Sequence, residues 1–455
     1  MIEDVFYQAM LARDYRFDGK FFIGVKTTGI YCRPVCPAKP LRKNIEFLAT
    51  AIAAENKGYR PCLRCRPESA PYSPAWNGTS AVVSRALKVI SAEGFIESNE
   101  EVFASRFGVT ARHLRRLFVE EVGQTPKQIA SINRLNFARK LILESKLSMT
   151  TVAMNAGFSS LRRFNDAFKL RFHRSPTEIR KNTESTPEKG IELRLSYRPP
   201  FNWEDTLSFF RNHLITGIET VTDHSYGRPF QGGRFLVTHD QKNHCLNLTV
   251  FSDDPSSLFL VAQRVRRMFD LDSDPMLIAE SFRKDKFMAK LWKKNPGLRV
   301  ARGWDAFETS VCTILGQLVS VAVARTLVKE LVENYGKDGL FPTPEILVKS
   351  DLKKIRTTEK RRDSIRALSA AVMKGEIDFT TPQDSREMKK KLEELPGIGR
   401  WSAEYISLRA LGDTDAFPGT DLILKRAMIA NPKIELKKIE PWTSYAAIYL
   451  WKEFA

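Results

Sequence analysis

The stretch LPGIGRWSAEY at 395–405 is followed by FPGTD at 417–421, and these two segments decide the fold of the C-terminal part of the chain. Gly397 and Gly399 lie one residue apart between helical patterns, which predicts a hairpin whose backbone amides can approach a DNA phosphate closely. Asp421 follows a Pro-Gly turn and precedes LILKRAM, a position typical of a helix N-cap. From the pattern alone, the two segments predict a helical hairpin that can contact DNA and, behind it, an aspartate that caps the next helix.

The two segments resemble the helix-hairpin-helix glycosylase superfamily, and within it the AlkA type, DNA-3-methyladenine glycosylase II. The resemblance runs from about Leu193 to the end of the chain and includes DAFETSVCTILGQLVSVAVA at 305–324 and PWTSYAAIYLW at 441–451. It implies that Asp421 is the catalytic carboxylate and that Leu318 is a wedge pushed into the base stack. The residues implied to line an aromatic base pocket are Trp401, Tyr405 and Trp451.

The resemblance also implies the chemistry. A 3-methyladenine or 7-methylguanine base is cationic and leaves easily, so extrusion, aromatic stacking and one carboxylate suffice for excision. Glycosylases that also cut the strand use a lysine amine, which directly follows the Gly-Arg of their hairpin. Here that position is Trp401, so we expect base release without strand scission. Core packing remains the alternative for each aromatic residue taken singly.

The middle of the chain contains an internal repeat. Gly108-Val-Thr followed by RHLRRLF recurs as Gly157-Phe-Ser followed by LRRFNDAF, with one more residue between the glycine and the final phenylalanine. Each copy predicts a short helix, a glycine turn, a Thr or Ser N-cap and a second amphipathic helix. That is the helix-turn-helix layout, whose second helix enters the major groove. The candidate recognition residues are Arg112, His113, Arg115 and Arg116 in the first copy, and Arg162, Arg163, Asn165 and Lys169 in the second. The segment 84–182 resembles the DNA-binding domain of AraC-type regulators.

Four of the six cysteines lie close together, as Cys32-x3-Cys36 and Cys62-x2-Cys65. Two close pairs of thiolates suit tetrahedral Zn²⁺. From the spacing alone, a purely structural zinc site is the favoured interpretation. The many cations around the cysteines weaken it, because they invite a phosphate. A zinc ion held by four thiolates also keeps them nucleophilic. Cys245 and Cys312 stand in apolar surroundings and are predicted to be buried small side chains.

The words around these cysteines, FFIGVKTTGIYCRPVCPA at 21–38 and GYRPCLRCRP at 58–67, closely resemble the N-terminal domain of the Ada adaptive-response family. The resemblance implies one zinc ion held by the four cysteines, with Cys32 accepting a methyl group from a DNA methylphosphotriester. The residues implied to contact the phosphate backbone are Thr28, Lys39, Arg60 and Arg64. Lys39 stands where an arginine is expected, which keeps the charge and loses the bidentate geometry.

No group in the sequence could remove the methyl group from Cys32, so each protein molecule is expected to react only once. Methylation removes one negative charge from the cluster, which lowers its repulsion with DNA phosphates. Coupled to an AraC-like module, this implies damage-dependent promoter activation, with RNA polymerase as a candidate partner. The full Ada protein also has an O6-methylguanine transferase domain with a Pro-Cys-His-Arg word. That word is missing here, so we expect no such activity.

Composition agrees with a DNA partner, since the net charge is +19 and phosphates release counterions to cationic side chains. The N-terminus has no apolar signal region and no run of eighteen apolar residues occurs, which predicts a cytoplasmic protein without membrane contact. Polar linkers at 66–80 and 181–190 divide the chain. The predicted domains are a small α+β zinc domain at 1–75, a double helix-turn-helix domain at 82–182, and a glycosylase at 190–455. The glycosylase is further divided into a β-containing subdomain at 190–300 and an α domain at 301–455, so the chain is multidomain and mainly α.

Two other functional classes explain part of the sequence. A methylation-sensing transcription activator with an inactive glycosylase domain explains the first two domains, but retention of Asp421 with its hairpin counts against it. A zinc-thiol redox sensor explains the cysteines and leaves the C-terminal domain without a role.

Overall fold

The computed structural model describes residues 2–13, 17, 21–36, 38, 40–48, 53–54, 57–62, 65, 67, 81–93, 100–144, 147–180, 190–252, 257–380 and 385–455. The chain divides into two compact units, Met1–Glu188 with Pro255–Gln263, and Lys189–Asp254 with Arg264–Ala455. The predicted linkers at 66–80 and 181–190 lie outside the described residues, except for Pro67 and Gly190. Within the described residues, no helix combines the length and the apolar character needed to cross a membrane.

The first unit begins with a helix packed beside a small sheet. Helix α1 is Ile2–Leu11, and the strands are β1 (Phe22–Val25), β2 (Ile30–Cys32), β3 (Ile45–Leu48) and β4 (Arg60–Pro61). The sheet order is β3-β1-β2-β4, antiparallel except for the parallel pair β2 and β4. Phe6 stacks on Phe21 with ring centroids 4.2 Å apart, so an aromatic core joins helix and sheet.

The rest of the first unit is helical and contains the two predicted helix-turn-helix copies. Its helices are α2 (Ala81–Glu93), α3 (Glu100–Ser105), α4 (Ala111–Val122), α5 (Pro126–Glu144), α6 (Met149–Asn155), α7 (Leu161–Phe172) and α8 (Pro176–Ile179). The turns before α4 and α7 place Gly108 and Gly157 at φ values of 69° and 76°, a region that glycine adopts without strain. The N-caps are Thr110 and Ser160. The extra residue of the second copy therefore lies in the turn, and the helices after the caps are in step.

The second unit begins with an antiparallel sheet. Strands β5 (Ile191–Ser196), β6 (Thr220–Val221), β7 (Ser225–Phe230), β8 (Gly233–Asp240) and β9 (Cys245–Ser252) pair in the order β5-β9-β8-β7-β6. Helix α9 (Trp203–Asn212) follows β5. The strand-like runs RFLVTHD and HCLNLTVFS are strands β8 and β9, so the predicted β-containing subdomain is confirmed. Cys245 is buried on β9, as predicted.

Helices follow from residue 257 to the end of the chain. They are α10 (Ser257–Met268), α11 (Pro275–Phe282), α12 (Lys286–Lys294), α13 (Ala306–Leu315), α14 (Val321–Tyr335), α15 (Pro344–Lys349), α16 (Glu359–Met373), α17 (Ser385–Glu393), α18 (Arg400–Ile406), α19 (Leu422–Ala430), α20 (Leu436–Ile439) and α21 (Thr443–Phe454). Helix α18 continues as one π-helical segment, Ser407–Leu411. One apolar core gathers α13, α14, α16 and α18, and Cys312 packs partly buried against it. A second core gathers α11, α12, α19 and α21. The hairpin and Asp421 are thus held on well-packed helices.

Candidate functional site

Four cysteine sulfurs meet at one end of the first sheet. In the parallel pair β2 and β4, Tyr31 is the register partner of Pro61, so the next residues, Cys32 and Cys62, lie side by side. The ligand atoms of the four cysteines, completed by Cys36 and Cys65, all lie within 4.8 Å of one another. Tetrahedral zinc with Zn–S bonds of about 2.3 Å needs sulfurs about 3.8 Å apart. The cluster therefore fits one zinc ion.

Hydrogen bonding distinguishes the four sulfurs. The backbone N–H of Arg33 donates to Sγ of Cys65 at 3.4 Å. Backbone N–H groups of Ala38 and Cys65 donate to the sulfurs of Cys36 and Cys62. Cys32 receives no backbone hydrogen bond from the described residues. A sulfur without such a donor keeps more of its electron density for attack on carbon.

Two of the residues implied to contact the DNA backbone lie near the beginning of β2 and β4, which is the end opposite the cysteines. Thr28 is exposed in the turn between β1 and β2, and Arg60 is half-buried at the start of β4. The N–H of Arg60 donates to the carbonyl of Gly29 at 2.8 Å, which places Thr28 and Arg60 on neighbouring segments. Lys39 and Arg64 lie outside the described residues.

Helices α4 and α7 expose their predicted recognition residues in the same pattern. Arg112, His113, Arg115 and Arg116 are exposed on α4, and Arg162, Arg163, Asn165 and Lys169 are exposed on α7. The two helices differ in charge pairing. Arg115 is paired with Glu100, and Arg116 bonds Glu120 at 2.9 Å. Within the described part of the chain, neither Arg162 nor Arg163 has a carboxylate partner. The second helix therefore offers more unpaired positive charge.

The glycine hairpin lies between α17 and α18. Gly397 has φ 78°, and a Cβ there would stand 2.0 Å from Oγ of Ser364, so no larger residue fits. Gly399 is the N-cap of α18, and a Cβ there would meet open space. Packing among the described residues therefore does not explain a glycine at position 399.

Leu318 projects fully into solvent. Its relative exposure is 102% and its φ is 53°, in the left-handed region that leucine rarely adopts. The preceding Gln317 turns inward instead. Its Nε2 donates to the carbonyl of Gly397 at 2.9 Å and to Oγ of Ser402 at 2.8 Å. The exposed leucine and the hairpin are thereby tied together.

Asp421 is both a helix cap and the centre of a hydrogen-bonded cluster. Its Oδ1 accepts the N–H groups of Ile423 and Leu424, at 3.0 and 3.2 Å, as the N-cap of α19. The same oxygen accepts Nε1 of Trp451 at 3.0 Å. Oδ2 accepts Nε1 of Trp401 at 3.2 Å and has no other donor among the described residues. The cap interpretation is therefore correct, and it does not use Oδ2.

The three predicted pocket aromatics lie together beside this carboxylate. Trp401 and Tyr405 stack with centroids 5.1 Å apart and an interplanar angle of 19°. Tyr405 meets Trp451 edge-on at 6.0 Å. All three side chains are half-buried. Their rings thus form an accessible aromatic wall next to Oδ2 of Asp421.

Comparison with known proteins decides the family. The chain is 36% identical to a relative from Mycobacterium tuberculosis described as a probable bifunctional transcriptional activator/DNA repair enzyme AlkA, over 98% of this chain and 95% of that protein. The chain belongs to this family of bifunctional transcriptional activator/DNA repair enzymes. It is also 32% identical to DNA-3-methyladenine glycosylase 2 of Escherichia coli, over 56% of this chain and 95% of that one. The Ada protein of Escherichia coli is 37% identical over 35% of this chain and 43% of its own.

Three family models match this bifunctional enzyme in sequence order. They describe the metal-binding domain of Ada at residues 5–68, a helix-turn-helix domain at 103–182, and the AlkA N-terminal domain at 192–305. The resemblances found in the sequence are thereby confirmed, as are the zinc cofactor, the DNA-binding character and the DNA-repair enzyme class. The mainly helical multidomain fold class is confirmed as well.

Two residues beside the aromatic cluster of this bifunctional enzyme were not predicted from the sequence. Phe209 on α9 and Arg409 in the π-helical segment lie against each other, with the guanidinium 4.0 Å from the ring centroid. The sequence could have predicted Arg409, because it follows Trp401 and Tyr405 at the four-residue spacing of one helix face. Phe209 comes from a distant segment without such a signal.

Proposed function

We propose that the protein repairs alkylated DNA by two reactions, methyl transfer to Cys32 and hydrolytic release of alkylated bases at Asp421. The observation that carries the proposal is the carboxylate of Asp421, held by the indole N–H groups of Trp401 and Trp451 at the aromatic wall. A carboxylate fixed in this way is already oriented before a nucleotide arrives. It can stabilise positive charge without reorganising.

The base-release step uses the two oxygens of Asp421 differently. Oδ1 is saturated by three donors, whereas Oδ2 has one and keeps a lone pair for the substrate. When the C1′–N bond breaks, its electron pair leaves with the base and C1′ becomes oxocarbenium-like. Oδ2 stabilises that charge until water adds to C1′ and loses a proton. The product is an abasic site in an intact strand.

Lysine chemistry is disfavoured at this pocket. Trp401 occupies the position after the hairpin Gly-Arg, and its N–H is engaged by Asp421. Lys389 is ion-paired with Glu404 at 3.2 Å and with Asp413 at 3.5 Å, and its side chain is 18% exposed. An amine held between two carboxylates is not available to attack C1′. The reaction therefore follows the hydrolytic course.

Access to the base requires extrusion from the duplex. Leu318 stands clear of the protein on a loop tied to the hairpin by Gln317, so it can fill the space that a flipped nucleotide leaves. Backbone amides at Gly397 and Gly399 would hold the phosphate next to it. The Trp401 and Tyr405 rings would then stack with a base that swings out.

Cys32 is the methyl acceptor in the proposed transfer step. Zinc, when bound, keeps the four thiolates deprotonated at neutral pH. Burial alone would favour Cys62 and Cys65, which are more exposed than Cys32 at 5%. Hydrogen bonding favours Cys32, because the other three sulfurs each accept a backbone N–H. The Cys32 sulfur forms a bond to the methyl carbon while the C–O bond breaks, and the phosphodiester departs as an anion.

Methylation of Cys32 gives the helix-turn-helix domain a regulatory role. The thioether product removes one negative charge from the cluster, so repulsion with DNA phosphates falls. We expect methylated protein to bind its promoter more tightly, with a difference that shrinks as salt rises. RNA polymerase is the partner that an activator bound in this way would recruit.

One experiment follows both reactions. The purified protein is incubated with methylated duplex DNA, and released bases and protein mass are measured together. We expect free 3-methyladenine and one added methyl group on the peptide that contains Cys32. A methyl on Cys62 or Cys65 overturns the acceptor assignment. Protein that gains a methyl but releases no base supports the alternative of an activator with an inactive glycosylase domain.

A further inference from the structure

Arg409 is an uncompensated positive charge beside the aromatic pocket. The residue is 6% exposed, and its guanidinium lies 4.0 Å from the ring centroid of Phe209. It also lies 5.6 Å from the Trp451 ring and 5.9 Å from the Tyr405 ring. Arginine stays protonated in proteins, so this charge is permanent.

The hydrogen-bond partner of Arg409 is neutral. Nη1 donates to the carbonyl of Ala301 at 2.7 Å. Nε is buried without an acceptor, and no carboxylate pairs with the guanidinium among the described residues. Arg228, by contrast, is buried in the same unit and pairs with both oxygens of Glu308 at 2.9 and 3.0 Å. A buried charge without a counterion is destabilising, so Arg409 is not explained by stability.

The backbone that carries Arg409 is also unusual. Helix α18 widens into a π-helical segment at Ser407–Leu411, with Arg409 at its middle. π-Helical turns are rare and occur frequently at functional sites. Within this segment Arg409 lies on the side of Tyr405, with its guanidinium 5.9 Å from that ring. The charge and the backbone distortion are independent observations, and they coincide at one residue.

We propose that Arg409 is a specificity-determining residue whose charge favours departure of the base. The inference rests on the proposed glycosylase function and concerns its substrate class. When the C1′–N bond breaks, the base takes the electron pair and its charge falls by one. A neutral base becomes anionic and a cationic base becomes neutral. A fixed cation near the pocket stabilises that change in both cases.

The two classes of base differ in the ground state. A cationic base such as 7-methylguanine is repelled by Arg409 when it enters the pocket, so its binding is weakened while its bond cleavage is accelerated. A neutral base meets no such repulsion and gains the acceleration in full. Arg409 therefore widens the substrate range from cationic alkylated bases toward neutral modified bases, for which an anionic leaving group is the main barrier.

Single-turnover kinetics separate these effects. Arg409→Met removes the charge and keeps the length of the side chain, and Arg409→Gln keeps a donor for Ala301 as a second neutral variant. The duplexes carry 7-methylguanine as the cationic base and 1,N6-ethenoadenine as the neutral one. The concentration of half-saturation and the maximal cleavage rate are measured for each.

For 7-methylguanine we expect the maximal cleavage rate of both neutral variants to fall by about 10-fold. The concentration of half-saturation should also fall by about 10-fold, so the ratio of rate to half-saturation concentration should be nearly unchanged. For 1,N6-ethenoadenine only the cleavage rate should fall. Arg409→Lys, which keeps the charge, should retain much of the wild-type pattern. Arg302→Met is the control for the loss of an arginine that has a counterion, because Arg302 pairs with Asp270 at 3.4 Å.

A loss of cleavage rate with unchanged or weaker half-saturation for 7-methylguanine overturns the proposal and assigns Arg409 a structural role. Unchanged rates in both neutral variants overturn it as well. The melting temperature of each variant identifies a loss that comes from misfolding. If the wild-type protein releases neither base, the proposed glycosylase function fails instead, and that result is distinguishable because it does not depend on Arg409.

Discussion

The indole N–H of Trp451 donates to Oδ1 of Asp421 at 3.0 Å. This oxygen also caps α19, so one atom joins the start of that helix to the last helix of the chain. The opposite oxygen faces Nε1 of Trp401 at 3.2 Å. Both oxygens of the carboxylate therefore meet N–H donors. An amide at this position can satisfy only one of the two sides.

Asp421→Asn should lose base release while it retains DNA binding. The amide keeps the size and the N-cap, but it removes the charge that stabilises an oxocarbenium-like sugar. We expect the rate of 3-methyladenine release to fall by ~10²-fold or more. Release is measured under single-turnover conditions, and duplex binding is measured separately. Activity close to that of the wild type would refute the catalytic role of Asp421.

The same substitution should lower stability for a different reason. With Asn oxygen at the cap, its NH2 group faces Nε1 of Trp401, and two donors then meet. We expect the free energy of unfolding to fall by about 1–2 kcal/mol. Adding Trp401→Phe removes the opposing donor and should recover part of that stability without restoring activity. Denaturant unfolding of the single and double variants tests this, and a double variant no more stable than the single one contradicts the geometry.

Base release should leave no covalent enzyme–DNA adduct. Trp401 has no amine, and Lys389 is held by Glu404 and Asp413. We expect borohydride, added during turnover, to trap nothing, and the DNA product to be an abasic site in an intact strand. A glycosylase with a known catalytic lysine serves as the positive control for trapping. An adduct on any lysine of this protein would show that the reaction is not simple hydrolysis.

Leu318→Ala should impair excision from duplex DNA and leave stability unchanged. The side chain is fully exposed, so truncation should change the free energy of unfolding by less than about 0.5 kcal/mol. Loss of the wedge should slow release from a paired lesion by about 10-fold and from a mismatched lesion less, because unpaired bases flip more easily. Met373→Ala is the control, since Met373 is also exposed, at 48%, and is the last residue of α16. Equal losses on both DNA substrates would contradict a role in flipping.

The sequence predicted the local features of the sites and missed their long-range contacts. The cysteine spacing, the duplicated helix-turn-helix and the hairpin with Asp421 are short motifs that a chain of residues displays directly. The contact of Phe209 with Arg409 joins segments 200 positions apart in the sequence, and one sequence gives no signal for such a pairing. The bond from Gln317 to Gly397 escaped prediction for the same reason, although Gln317 is the neighbour of the predicted wedge.

Metal removal should separate the two activities. The four cysteines belong to the first compact unit, whereas Asp421 and its aromatic partners belong to the second. Because zinc binding and folding of a small thiolate domain are coupled, a strong chelator should abolish methyl uptake. The rate of 3-methyladenine release should stay within about twofold of the untreated rate, and zinc should restore methyl uptake. Parallel loss of both activities would contradict the independence of the two sites. Zinc release, and the uptake of protons by the freed thiolates, can be measured in the same sample.

The two recognition helices should contribute unequally to promoter binding. Arg115 and Arg116 on α4 are paired with Glu100 and Glu120, so these charges are partly used within the protein. Arg162 and Arg163 on α7 have no such partner among the described residues.

A phosphate contact contributes about one unit to the slope of log affinity against log salt. We therefore expect Arg162→Ala or Arg163→Ala to lower that slope by about one where it contacts phosphate, and Arg115→Ala or Arg116→Ala to change it less. If one of the α7 arginines contacts a base edge instead, its loss should lower the discrimination between promoter and unrelated sequences by about 1–3 kcal/mol and leave the salt slope unchanged. Titrations of each variant on promoter and unrelated duplexes at several salt concentrations distinguish these outcomes. Larger losses from the α4 substitutions would contradict the argument from ion pairing, since an arginine already held by a glutamate should have less charge to offer DNA.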